Sequence, residues 1–160
     1  MNENFEIRNA TAADAPLVLD YIKRLAKYEK MLDEVEATEE LVIKNVFEKK
    51  YAEVVIAELD GKPVGFALFF HNYSTFVGKP GLYLEDVFVD VEHRGKGFGK
   101  KLLAHLAQIA MERDCGRMEW SVLDWNEPSI NFYKSLGTVP MDEWTVFRLV
   151  GDSLKDLAKE

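Results

Sequence analysis

Apolar residues along this chain switch between a period of two and a period near 3.6, and the switches lay out the elements. Phe5–Asn9 alternates and reads as a first strand. Thr11 then has the place of an N-cap, with Asp14 at its third position as a variant of the capping box. Leu17, Leu19, Ile22, Leu25, Ala26 and Tyr28 give the following helix one broad apolar face. A second helix is expected from Thr38, with Glu39 and Glu40 in its first turn, where acids suit the helix dipole, and with Leu41, Val42, Val46 and Phe47 buried. Glu53–Leu59 is a β-branched strand, Asp60-Gly61-Lys62 a hairpin signal, and residues 63–73 a long apolar strand. A loop over residues 75–81 leads to a strand over residues 82–89. A turn (residues 90–94), a glycine loop (95–99) and a helix opening at Lys100 follow. Leu102, Leu103, Leu106, Ile109 and Ala110 make that helix amphipathic. Residues 118–123 read as the next strand. Asn126-Glu127-Pro128 opens a short helix that carries Ile130, Phe132 and Tyr133 and stops at Gly137, since Asn caps and Pro is tolerated in a first turn. Residues 144–150 read as a last strand and 152–159 as a terminal turn or helix. The order β-α-α-β-β-β-α-β-α-β predicts an α/β fold, a mixed sheet with helices on both faces.

Composition narrows the class. A chain of 160 residues predicts one domain, 1–160, and 48% hydrophobic residues suffice for a sizeable core. No apolar run reaches 18 residues, so no membrane span is expected. The opening Met1-Asn2-Glu3-Asn4-Phe5-Glu6 lacks the regions of a signal peptide, and the single cysteine, Cys115, excludes an internal disulfide; both predict a cytoplasmic protein. A net charge of −8 argues against nucleic-acid binding, which rests on basic patches. An acidic surface attracts cations, and residues 29–40 carry six acids against one lysine; a solvated acidic loop is the alternative. His71, His93 and His105 lack metal-ligand spacing, so no metal is predicted.

The glycine loop carries the first chemical signal. Gly95, Gly97 and Gly99 let the backbone turn tightly and come close to a ligand. The helix behind them offers unpaired N–H groups, and Arg94, Lys96, Lys100 and Lys101 add positive charge, so the natural guest is a phosphate or pyrophosphate. A P-loop requires a hydroxyl residue where Lys101 stands, and a dinucleotide fingerprint requires G-x-G-x-x-G. What remains, Arg94-x-x-Gly97-x-Gly99 between a strand and a helix, resembles the acetyl-CoA pyrophosphate loop of the GCN5-related N-acetyltransferases. A solvated glycine-rich turn is the bland alternative. The element order is also similar to that family's. Residues 10–14, 25–29, 83–86 and the block from Trp125 to Lys134 (WNEPSINFYK) resemble its diamine branch, the spermidine/spermine and thialysine acetyltransferases. The chain departs from that branch at Leu123-Asp124, in the hairpin at residues 60–62 and in the segment from Gly137 to Trp144. That last segment borders the substrate site in relatives, so the departures bear on the acceptor.

The resemblance implies acetyl-CoA as co-substrate, a small-molecule amine as acceptor and a homodimer built around residues 144–150. For the coenzyme it implies a strand that bulges and splays before the loop, with Val87, Phe88 and Val89 pairing through their backbone, then Arg94, Gly95, Lys96, Gly97, Phe98, Gly99 and Lys100 in the loop, with Asn126 and Ser129. For the acceptor it implies Tyr28, Glu29, Glu85 and Trp144. For catalysis it implies Tyr133 and Glu85, and elementary chemistry agrees for both. Tyr133, a phenol with pKa near 10, is protonated at neutral pH and can protonate a leaving thiolate. The Glu85 carboxylate can bind an ammonium and relay its proton through water. Glu85 and Asp86 are adjacent on a strand, which predicts that they point to opposite faces, with Asp86 in a structural hydrogen bond. Cys115 reads as an inert thiol. Other amines, such as an aminoglycoside or a protein amine, and a non-catalytic acyl-CoA-binding module remain open; an NTP-binding protein is disfavoured by the missing hydroxyl.

Overall fold

The computed structural model describes residues 3–160. Met1 and Asn2, which open the stretch read above as lacking a signal peptide, lie outside them. The chain divides into two compact units, one running to Ser121 and one from Val122 to Glu160.

The first unit is built on a five-stranded sheet in the order β1-β2-β3-β4-β5. The strands are β1 (Phe5–Asn9), β2 (Glu53–Leu59), β3 (Lys62–Ser74), β4 (Lys79–Val89) and β5 (Arg117–Trp120). The first three pairings are antiparallel and the β4–β5 pairing is parallel. A parallel pair needs a crossover, and α3 (Phe98–Glu112) supplies it. On one face α1 (Ala15–Tyr28) covers the sheet, with Ala15, Val18 and Tyr21 buried against Val54, Ile56, Phe66 and Phe88. Tyr21 stacks on Phe66, ring centres 5.2 Å apart. Val55, Ala67 and Phe69, of the opposite parity on their strands, are buried on the other face, the side of Leu102, Leu103 and Leu106 of α3, together with Leu82 and with Leu84, which pairs with Phe69. Burial of each such large side chain contributes about 2–3 kcal/mol.

Local signals explain the boundaries. Thr11 and Asp14 form the expected capping box, on a 3-10 turn that precedes α1, and Asp14 is also gripped by Arg8 through two bonds of 2.8 Å. Thr38 accepts from the Leu41 amide and caps α2 (Glu39–Val42), which runs on as a π-turn over Ile43–Glu48. Leu41, expected in the core, is 45% exposed there, while Val42 takes the buried position. Asp60 and Gly61 both have positive φ, as a two-residue hairpin between twisted strands requires. Strand β4 begins at Lys79, earlier than expected, because residues 79–81 pair with β3 despite their Pro and Gly. Helix α3 begins at Phe98 instead of Lys100: Gly97, at φ 82°, is its N-cap, so Gly99 lies inside the first turn.

The second unit holds α4 (Glu127–Ser135) and α5 (Gly151–Leu157). The last strand expected over residues 144–150 is not formed. Its β-branched pattern suits a pleated surface, but a strand exists only where a neighbouring strand bonds it, and residues 145–150 have no regular structure. Val146 and Phe147 are 85% and 93% exposed. Among the described residues no helix is long and apolar enough to cross a membrane.

Candidate active site

The site is organised by an irregularity in β4. Leu84 pairs with Phe69 of β3, and Asp86 pairs with Leu68. Phe69 and Leu68 are consecutive, so they face opposite sides of the sheet, and Glu85 is the extra residue of a β-bulge. Leu84 therefore faces α3 and Asp86 faces α1. Glu85, one residue after Leu84, turns to the α1 side as well. This corrects the expectation that Glu85 and Asp86 point to opposite faces: that holds for a regular strand, and the inserted residue breaks the alternation.

The bulge also ends the pairing with β5. The last parallel pair is Leu84 with Trp120, and beyond it β4 continues to Val89 without β5 beside it. Phe88 pairs with Phe66, and its carbonyl is so close to β3 that a Cβ on Gly65 would meet it at 2.6 Å. Backbone groups alternate along an antiparallel strand, so those of Val87 and Val89 point away from β3, toward the splayed side. Of the three implied pairing residues, Val87 and Val89 thus offer main-chain groups there, while the Phe88 side chain packs in the core beneath α1. The Val89 carbonyl is already engaged by Arg94, whose Nε donates to it at 3.0 Å.

Beyond Val89 the chain makes a 3-10 turn (Val91–His93) and enters the loop. Gly95 and Gly97 sit at φ 80° and 82°, where other residues are strained, and a Cβ at either would meet nothing within 4 Å. The loop is therefore an open concavity. Gly97 has no side chain to cap α3, so the N–H groups of Phe98, Gly99 and Lys100 have no acceptor within the helix. The Phe98 side chain itself is buried and stacks on Phe5 at 4.5 Å, which leaves its amide to the loop. Lys101, counted above among the loop cations, is turned over the Phe5 ring at 4.9 Å. Lys96 and Lys100 are exposed. His93 Nδ1 is buried without a hydrogen-bond partner among the described residues. Open space, first-turn amides and an unpaired strand edge fit the pyrophosphate and amide-bearing arm of coenzyme A.

Electrostatics single out the acids. Asp86 is largely buried, and its carboxyl is pushed up to about 7, first by burial, then by the negative charges of Glu85 and Glu29. Among the described residues it has no hydrogen-bond or ion-pair partner, so the structural hydrogen bond expected for it is not made. Glu29, the C-cap of α1, is also held above its ordinary range, by burial and then by Glu85. Three carboxyls on two elements therefore share one neighbourhood on the α1 face. The exposed Tyr28 precedes Glu29, and its ring lies 4.8 Å from the guanidinium carbon of Arg94.

Within the second unit, Asn126 is buried and its Oδ1 accepts from the Ser129 amide at 3.4 Å, so this pair caps α4 as its sequence suggested. Tyr133 stands on α4, its carbonyl accepting from Thr138 Oγ1 at 2.8 Å and its ring 5.7 Å from that of Phe132. Trp144 follows a turn closed by its amide on the Met141 carbonyl and is 74% exposed. Sequence reasoning missed Asp90. This residue, at the end of β4, accepts from Tyr21 Oη at 3.2 Å and from Arg24 at 2.5 Å. The spacing of Tyr21, Arg24 and Tyr28 on one helix face was the available signal.

Comparison with known proteins agrees with this geometry. The model of the acetyltransferase (GNAT) family matches residues 19–138. The thialysine N-epsilon-acetyltransferase of Bos taurus is 35% identical over 95% of this chain and 96% of its own length, and that of Caenorhabditis elegans is 34% identical over 99% of both. A human spermidine/spermine N(1)-acetyltransferase-like protein 1 is 38% identical over 98% of this chain, which corresponds to 24% of that longer protein. Among solved structures, an integron cassette protein of V. cholerae superposes with a TM-score of 0.80 at 30% identity, covering 98% of each chain. The glycine loop, the bulged and splayed β4 and the whole-length likeness converge: this chain belongs to the GNAT acetyltransferase family.

Proposed function

We propose that this chain transfers an acetyl group from acetyl-CoA to the primary amine of a small cationic acceptor, a polyamine, diamine or lysine-like amino acid, by direct attack in a ternary complex. The observation that carries the reading is the bulge at Glu85. It gathers Glu85, Asp86 and Glu29 on one face of the sheet, next to the stretch of β4 whose outer edge β5 leaves unpaired and which leads into the glycine loop. A cationic amine is the ligand such carboxyls favour. The names of relatives, a thialysine and an L-ornithine acetyltransferase and a spermidine/spermine acetyltransferase-like protein, support the same acceptor class.

In this reading Gly95, Gly97 and the first amides of α3 hold the pyrophosphate, with Lys96 and Lys100 adding charge. Bound acetyl-CoA supplies the activated thioester. Glu85 binds the acceptor ammonium and takes its proton through water, with Tyr28, Glu29 and Trp144 lining the acceptor. The Val87 N–H donates to the oxygen that gains charge during attack, a role worth several kcal/mol when the donor is preorganised. Tyr133 gives its proton to the departing thiolate. Asn126 and Ser129 assist on the coenzyme side. We place the protein in the cytoplasm, on its single cysteine, and assign it, on the resemblance, a homodimer built around residues 144–150, where Val146, Phe147 and Val150 are exposed apolar side chains.

The test is thiol release from acetyl-CoA across spermidine, spermine, putrescine, thialysine, lysine, an aminoglycoside and a lysine peptide, with Tyr133→Phe in parallel. Turnover on a small cationic amine, cut at least tenfold by the Phe change at matched coenzyme affinity, is the expected result. Coenzyme binding with no turnover on any amine would leave an acyl-CoA-binding module and refute the proposal.

A further inference from the structure

Tyr21, Arg24 and Tyr28 stand at i, i+3 and i+7, on one face of α1. All three meet the segment that opens the glycine loop. Tyr21 and Arg24 bond Asp90 at its start. Tyr28 meets Arg94 at its end, ring centre to guanidinium carbon 4.8 Å. Arg94 is fixed from two other directions, by the Phe88 ring at 5.1 Å and by its Nε on the Val89 carbonyl. The two ends of the turn that presents Gly95 are thus docked on one rigid helix. That helix ends at Glu29, beside Glu85, on the acceptor side.

We infer that Tyr28 is a positioning residue for the coenzyme A loop, acting through the stack of its ring on Arg94, so that the acceptor end of α1 and the coenzyme site are linked. This rests on the function proposed above, in which the loop takes coenzyme A and Tyr28 borders the amine. Arg94 then contributes chiefly as the strut between helix and loop. A planar cation held between two aromatic rings keeps the loop in the shape the pyrophosphate requires. Linkage is reciprocal, so whatever orders Tyr28 from the acceptor side also favours the coenzyme-binding loop.

The test reads binding without turnover. Coenzyme A is titrated by calorimetry into the full chain as wild type, Tyr28→Phe, Tyr28→Leu, Arg94→Met and the Tyr28→Leu/Arg94→Met double variant. Tyr28→Phe keeps the ring and stays within twofold of wild type. Tyr28→Leu binds about threefold to tenfold more weakly, the range expected for a lost cation–π stack. The double variant binds no more than twofold below Arg94→Met alone, because both changes remove one contact. Far-ultraviolet circular dichroism checks the fold, and Tyr28→His, which keeps a flat ring, replaces Phe if that variant does not fold; it too must bind better than Leu. Wild-type affinity in Tyr28→Leu, or losses that multiply in the double variant, would overturn the inference and leave the function standing. A wild type that binds no coenzyme A would sink both.

Discussion

Asp86 offers a direct measurement of the site's electrostatics. Its carboxyl titrates at about 7 in the fold against an ordinary value of 3.8, with burial the largest cause and the charges of Glu85 on β4 and Glu29 on α1 adding to it. A folded-state pKa above the unfolded one means that the fold binds the proton more tightly. Below about pH 4 both states are protonated and there is no cost. Between about pH 4 and 7 the unfolded chain ionises first and stability falls; above about 7 the full cost is present. At about 1.4 kcal/mol for each tenfold change in proton affinity, the cost reaches about 4 kcal/mol. Asp86→Asn keeps the shape and removes the charge. Urea unfolding of both proteins at pH 5, 6, 7 and 8 is the assay. The variant should gain on wild type steadily from pH 5 upward and exceed it by about 2–4 kcal/mol at pH 8. A variant no more stable than wild type at pH 8, or a difference that does not change with pH, would refute the reasoning, since only an ionised, poorly compensated carboxylate produces this profile.

Other consequences are equally open to measurement. Gly65→Ala would set a Cβ 2.6 Å from the Phe88 carbonyl, and the backbone must shift to admit it; denaturant titration should show a loss of about 1–3 kcal/mol. Asp14, held down at about 2 chiefly by its hydrogen bond to Arg8, stabilises the fold above pH 4 and ceases to as the pH falls through 2. Asp14→Asn should therefore cost about 1 kcal/mol at pH 7 and little below pH 2, after allowance for the part-exposed Arg8. Gly97→Ala forces a Cβ onto a backbone at φ 82° at the start of α3. It should destabilise by about 1 kcal/mol and weaken coenzyme A binding in calorimetry, while Lys96→Ala weakens binding with no change in the unfolding midpoint.

Much of this molecule was legible in the chain because its signals are local. Strands β1 and β2 were read to their ends, because β-branched runs bounded by turn residues need no distant information. The capping box at Thr11, the N-cap at Thr38, the hairpin at Asp60-Gly61 and the cap of α4 at Asn126 are contacts within four residues. The WNEPSINFYK block and the spacing of Arg94, Gly97 and Gly99 carried the family.

What the chain could not disclose depends on pairing across distance. The resemblance implies a bulged and splayed strand before the loop, but the place of the bulge at Glu85 is set only by the register between β3 and β4, where one residue too many on β4 must be accommodated, and no feature of Leu-Glu-Asp-Val marks it. From it follow the common face of Glu85 and Asp86, the raised affinity of Asp86 for a proton and the splay from β5. The docking of Asp90 and Arg94 on α1 joins residues about seventy positions apart. The failure of residues 144–150 to form a strand has the same cause in reverse: a sequence can prefer the extended form, but only a neighbouring edge makes it a strand. Sequence alone thus determined the element types and the family's chemical parts, and tertiary structure decided which of those parts share a face, because register and burial belong to pairs of segments and to no segment alone.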